Sequence, residues 1–148
     1  MVVRALRDAL AEVCAEVEAP EAPRLLRLEG IQHLETPISG TLRRAGGVLD
    51  LVGRLHPTPA VAGAPRAEAL AWLAAHEEIE RGWYAGPVGA VHRDGGGEFC
   101  IALRSALLRG KTARLFAGAG IVDGSRPDAE LRETRLKLRA MLGALVEL

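Results

Sequence analysis

Apolar residues recur at Val3, Leu6, Leu10, Val13 and Val17, a spacing of three to four that predicts a helix over residues 2–17. Pro20 and Pro23 then break the pattern into a loop. Residues 25–42 read as extended, with Ile31, Leu34 and Ile38 as the bulky positions and Pro37 and Gly40 interrupting them. A short helical pattern covers residues 47–55. The following stretch, HPTPAVAGAPR (residues 56–66), holds three prolines and predicts a stiff loop of defined path. Such a loop serves equally as a tight crossover or as a substrate wall. Pro65 opens a further helical pattern to about residue 80, with Leu70, Leu73 and Ile79 facing inward.

Beyond Trp83 the period becomes extended. Residues 84–92, 98–108 and 112–122 are separated by Arg-Asp-Gly-Gly-Gly and Arg-Gly-Lys, and predict an antiparallel meander. The middle strand is nearly continuous in apolar residues, so both its faces are expected to be covered. Arg104 is its exception, and a guanidinium on a buried strand requires an anionic partner. Asp123-Gly124-Ser125 is a turn, after which Pro127 sits in the first turn of a helix with Ser125 as its N-cap. The fold class that follows is α+β, one domain over residues 1–148.

The charge balance narrows the function. Nineteen basic residues offset nineteen acidic ones, and no basic run is interleaved with aromatics, which argues against nucleic-acid binding. Cys14 and Cys100 match no metal or redox spacing and are expected to be buried free thiols. No signal-peptide pattern and no apolar run of membrane-spanning length is present, so a cytoplasmic location is expected and no membrane partner.

Candidate chemistry gathers in the last third of the chain. Glu133 and Lys137 stand four apart on the last helix, hence on one face. They read either as a solvated ion pair or as a Mg²⁺ ligand beside a cation that holds an anionic substrate. If the second turn centres on Lys111, Arg104 lies opposite Gly118. If the first centres near Gly95, Tyr84 falls within a residue or two of Arg104. A phenol, a guanidinium, a bare backbone and an ammonium then converge, which suits a small ligand bearing carboxylates. His33, in Ile31-Gln32-His33, reads either as a hydrogen-bonded structural residue or as a catalytic one.

With these residues assembled, the chain resembles the chorismate-utilising enzymes, and among them the isochorismate synthases. The matching stretches are IQHLETPISG (31–40), LHPTPAVAGAPR (55–66), ERGWYAGPVGAV (80–91), FCIALRSALLRG (99–110), ARLFAGAGIVDGS (113–125) and ELRETRLKL (130–138). The resemblance implies a fold of antiparallel sheets flanked by helices, with chorismate as substrate and Mg²⁺ as cofactor. It implies Glu133 as one of two metal carboxylates and Lys137 as the lysine on the same substrate carboxylate. Arg104 and Tyr84 match the pair that grips the enolpyruvyl carboxylate, Gly118 a backbone donor, and His33 the histidine beside the ring. Ala60 stands where relatives that eliminate pyruvate carry threonine, which points to isochorismate as the end product, with a salicylate synthase as the alternative.

The same resemblance implies that this is a C-terminal segment. The general base, the general acid and the first metal glutamate are expected upstream of Met1, leaving the chain inactive alone and prone to self-association. The intact enzyme is expected to be monomeric. A different class remains open beside it, a non-catalytic domain that binds a carboxylate ligand or a partner chain.

Overall fold

A computed structural model describes residues 1–28 and 31–146. Glu29 and Gly30, within the stretch expected to be extended, lie outside the described residues, as do Glu147 and Leu148. Helix α1 (Val2–Ala11) is followed by strand β1 (Cys14–Glu18), then β2 (Arg24–Leu28), β3 (Ile31–Glu35) and β4 (Ser39–Leu42). Helices α2 (Val48–Leu55), α3 (Pro59–Ala62) and α4 (Arg66–His76) come next. Strands β5 (Pro87–Val91), β6 (Gly97–Ile101), β7 (Ser105–Arg109) and β8 (Thr112–Phe116) lead into the long helix α5 (Pro127–Val146). The eight strands form four antiparallel ribbons of two: β1 with β4, β2 with β3, β5 with β6, and β7 with β8.

The first helix is shorter than its periodicity predicts. It ends at Ala11, where the Val13 N–H turns back to the Leu10 carbonyl. Val13 and Val17 then belong to extended chain, because β1 finds β4 as a partner and the bare Gly40 lets the two backbones close over Cys14. Local periodicity loses here to a pairing made with residues far along the chain. On its other side α1 packs against α2 and α3.

Helix α2 begins where expected, with the Asp50 carboxylate accepting the Gly47 N–H. Its Val48 N–H donates to the Gly95 carbonyl, which docks the β5–β6 turn on the helix. The stiff loop contains a single helical turn, α3, ended by Gly63 at φ 81. Helix α4 stops at His76 instead of residue 80, and Leu70 and Ile79 are exposed where inward-facing positions were expected.

The expected meander is divided. Its middle strand breaks after Ile101, and β6 and β7 join different ribbons. The Leu103 N–H bonds to the Ile101 carbonyl and Arg104 takes φ 49, a left-handed bend that no glycine or proline announces. Residues 84–86 form a turn before β5, and residues 117–122 lie beyond β8 outside any strand. The Ser125 hydroxyl accepts the Val122 N–H, closing the turn before α5 instead of capping the helix.

Burial is sparse. Among the described residues only Cys14, Ala62 and Ala85 are buried apolar residues. Cys100 is exposed, contrary to expectation, and so are Val88, Leu107 and Leu108. The apolar run of residues 99–108 therefore lacks the cover its composition calls for. No helix among the described residues is long and apolar enough to cross a membrane.

Candidate functional site

Helix α5 sets Glu133 and Lys137 one turn apart. Lys137 Nζ lies 2.6 Å from Glu133 Oε1 and donates to the Gly118 carbonyl at 2.9 Å. That second bond ties the helix to the loop beyond β8. The lysine holds the Glu133 carboxyl below the usual carboxylate range, first through this hydrogen bond and then through its charge. A Cβ on Gly118 would meet Tyr84 Oη at 2.9 Å, so the phenol rests against bare backbone. The Tyr84 ring stacks on Phe116 with centroids 5.4 Å apart.

Arg104 arrives at the same end of the β7–β8 ribbon by another route. It directly precedes Ser105, which pairs with Phe116, the ring under Tyr84. The turn bearing Tyr84 is held to this region by the bond from the Ala85 N–H to the Ala102 carbonyl, 2.9 Å. The register differs from the sequence arithmetic by one residue. Arg109 pairs with Thr112 around a two-residue turn in which Gly110 supplies φ 56, so the ladder extrapolates to Ala117 opposite Arg104, instead of Gly118.

Arg104 has no carboxylate partner among the described residues. Its Nη2 lies 3.4 Å from His33 Nε2, a bond that needs the histidine proton on Nδ1. The anionic partner expected for a buried strand is thus absent, because Arg104 sits half-buried at a bend. Among the described residues its other guanidinium donors have no partner and could meet an incoming anion. Tyr84, Gly118, Lys137 and Glu133 form one continuous group, and Arg104 with His33 a second.

Ala60 is exposed on α3 and belongs to neither group. Arg81 links its helix to the site, and the sequence reading did not single this residue out. Its Nη1 donates to the Val61 carbonyl at 2.9 Å, while Nε and Nη2 bind both oxygens of Glu77. The Tyr84 N–H donates to the Arg81 carbonyl, so one arginine fixes α3 against the tyrosine turn. The Glu77–Arg81 spacing of four was the available signal. His56 is a second omission. Arg66 Nη2 caps its carbonyl at 2.8 Å, and its buried Nδ1 has no partner.

Glu133 is one hard oxygen donor, and no group of three His, Cys, Asp or Glu side chains able to hold a metal occurs among the described residues. These residues alone do not fit a complete Mg²⁺ site.

A family model described as a chorismate binding enzyme matches residues 1–146. The chain is 46% identical over 145 residues to isochorismate synthase MenF of Bacillus subtilis, covering 98% of this chain and 31% of that protein. It is 52% identical over 145 residues to the salicylate biosynthesis isochorismate synthase of Pseudomonas aeruginosa, covering 98% and 30%. The crystal structure of a Bacillus anthracis protein described as a 2,3-dihydroxybenzoate-specific isochorismate synthase superposes with a TM-score of 0.93 at 39% identity, over 97% of this chain and 39% of that one. The chain spans about a third of the length of the curated relatives it matches, in their C-terminal portion. The superposition bears out the α+β class with its small antiparallel sheets and flanking helices.

Proposed function

The chain belongs to the chorismate-binding enzymes, and from that premise we propose that it is the carboxylate-holding, C-terminal segment of an isochorismate synthase domain. The observation that carries the reading is the meeting of Lys137, Gly118 and Tyr84 at the ribbon end where Arg104 keeps free donors. In this reading Arg104 and Tyr84 hold the enolpyruvyl carboxylate of chorismate and Lys137 the ring carboxylate, with Gly118 lending bare backbone to the approach. His33 lies beside the ring, its Nε2 within reach of Arg104 Nη2. Glu133 would give one oxygen ligand to Mg²⁺, and further donors would be needed to complete the site.

The reaction is the cytoplasmic isomerisation of chorismate, in which water adds at ring C2 as the C4 hydroxyl leaves. These residues bind and orient the substrate. The acid–base pair belongs to the rest of the domain, and each such group contributes roughly 10²- to 10⁴-fold. The chain alone is therefore inactive. Ala60 lies outside both groups, and by the family resemblance an alanine there, with no hydroxyl to assist loss of pyruvate, points to isochorismate as the end product.

The test joins this chain to the Bacillus subtilis relative in place of its matched C-terminal third, hereafter the completed chain. Chorismate and Mg²⁺ are supplied, and products are separated by chromatography. Isochorismate from the completed chain and none from the chain alone is the expected result. Turnover by the chain alone, or a soluble completed chain without isochorismate, overturns the reading. Salicylate with pyruvate moves it to the salicylate-forming relatives.

A further inference from the structure

Arg81 is bonded through all three nitrogens of its guanidinium. Nε and Nη2 meet the two oxygens of Glu77 at 2.5 and 2.6 Å, and Nη1 donates to the Val61 carbonyl at 2.9 Å. Val61 lies in the single turn of α3, and the last carbonyls of a helix find no partner within it. That turn packs on α1 and α4, with Ala62 buried. Arg81 thus grips the helical part of the molecule. Its backbone carbonyl accepts the Tyr84 N–H at 2.9 Å on the other side. The chain that follows is unusual: Gly82 takes φ 54 and Ala85 takes φ 64, the alanine without glycine's freedom. Such conformations persist where the surroundings over-determine them, and they gather at ligand sites. Bonds between Ala85 and Ala102 and between Ala102 and Gly86 fix the far end of this turn. Arg81 fixes the near end. Tyr84 stands between them, its ring on Phe116 and its phenol at Gly118.

We propose that Arg81 is a positioning residue of the candidate site: it sets where the Tyr84 phenol stands, and through that phenol the affinity for a substrate carboxylate. Its guanidinium is committed to Glu77 and Val61, so it acts on the ligand only through Tyr84. Stability alone does not account for the clamp. The Glu77–Arg81 pair is partly open to solvent, and such a pair adds little stability by itself. Lysine is no substitute here. It offers one point of charge where the clamp uses a planar fork on Glu77 and a further donor on Val61. The effect on affinity rests on the proposed function, whereas the placement of Tyr84 does not.

The test is Arg81→Lys in the completed chain, with fluorotyrosine in place of tyrosine and the Tyr84 fluorine resonance identified by its loss in Tyr84→Phe. The substitution is expected to shift or broaden that resonance. It is expected to raise KM for chorismate about tenfold, the worth of one loosened charge-assisted hydrogen bond, with kcat changed by no more than about twofold. In the Tyr84→Phe background the same substitution should leave KM unmoved, since its effect passes through the phenol. Glu77→Gln keeps Arg81 and its Val61 bond but slackens the fork, so it should act in the same direction and more weakly. It carries the test if Arg81→Lys does not fold. An unmoved Tyr84 resonance, an unmoved KM in an active completed chain, or an equal rise in KM with and without the phenol overturns the inference. Arg81 would then be an ordinary ion pair at a helix end. A completed chain that makes no isochorismate, yet shifts its Tyr84 resonance with Arg81→Lys, would defeat the proposed function and leave the placement of Tyr84 by Arg81 standing.

Discussion

The α1–β1–β4 region and the β7–β8–α5 region are similarly rich in apolar residues, and only the first encloses any of them. Around Cys14, helix α1 meets β1, α2 and α3, and Gly40 brings the backbone of β4 to van der Waals distance. In the second region α5 packs against β8, and Leu131, Leu136 and Leu142 stay exposed. The candidate site residues divide in the opposite way. Glu133, Lys137, Gly118 and Arg104 all lie with the open region. The closed region holds the enclosed Cys14, and the open one presents the groups proposed to meet a ligand.

That division can be broken by substitution in the completed chain, beginning with the largest effect. Glu133→Gln keeps the shape but replaces a carboxylate by a poor ligand for a hard cation. Turnover should fall by about 10²-fold or more, with the thermal midpoint unchanged. A variant with near-normal turnover would return Glu133 to an ordinary helix-surface pair.

Arg104→Lys keeps the charge and loses the planar fork. The KM for chorismate should rise roughly ten- to a hundredfold, the worth of one or two charge-assisted hydrogen bonds. A lowered melting point with KM unmoved would make Arg104 a structural residue instead.

Two glycines sharpen the contrast further. A Cβ on Gly40 would stand 2.9 Å from Cys14 Sγ and 3.0 Å from the Glu16 carbonyl, inside the closed region. Gly40→Ala should therefore cost about 1–3 kcal/mol in denaturant unfolding, with KM unaltered. A Cβ on Gly118 meets only the tip of Tyr84, which can swing aside. Gly118→Ala should raise KM and leave unfolding nearly untouched. Reversed outcomes would mean that the two regions do not divide stability and binding between them.

Acid gives the smallest effect. Burial, then the Arg66 charge, lowers the His56 pKa from its ordinary 6.5. The hydrogen bond from Arg81 lowers Glu77 from its ordinary 4.5. Both groups bind protons more weakly when folded, so their stabilisation is full above those values and is lost as pH falls. The melting temperature should decline gently below about pH 6.5 as His56 resists protonation, and further below pH 4.5 as the Glu77–Arg81 pair is lost. His56→Gln should flatten the upper part of that decline. A midpoint that stays level through the His56 window in the unsubstituted protein would remove His56 from this account.

Much of the architecture is readable wherever glycine or proline punctuates the chain. The start of α2, the α5 helix from Pro127 and the turns at Asp94-Gly95 and Gly110-Lys111 all follow from local chemistry. The end of α1 does not, because Val13 to Val17 satisfies both a helical stripe and a strand, and a partner some 25 residues away decides. The break at Arg104 is also silent, since arginine carries no turn preference that would flag a left-handed backbone. Hairpin counting aligns Tyr84, Arg104 and Gly118, and only its Arg104–Gly118 step is off, by one residue. The Tyr84 phenol and the Lys137 ammonium both reach Gly118 all the same. Burial was the least legible property. Apolar strands signal a need for cover, and nothing in their composition says which polypeptide provides it.

The left-handed backbone at Arg104 sets two selective pressures against each other. A non-glycine residue there costs the fold on the order of 1–2 kcal/mol, and glycine would relieve it while deleting the guanidinium. A population of variants sorted for heat resistance alone should drift to glycine or asparagine at this position. Under the proposed function, one sorted for turnover by the completed chain should hold arginine against that gradient.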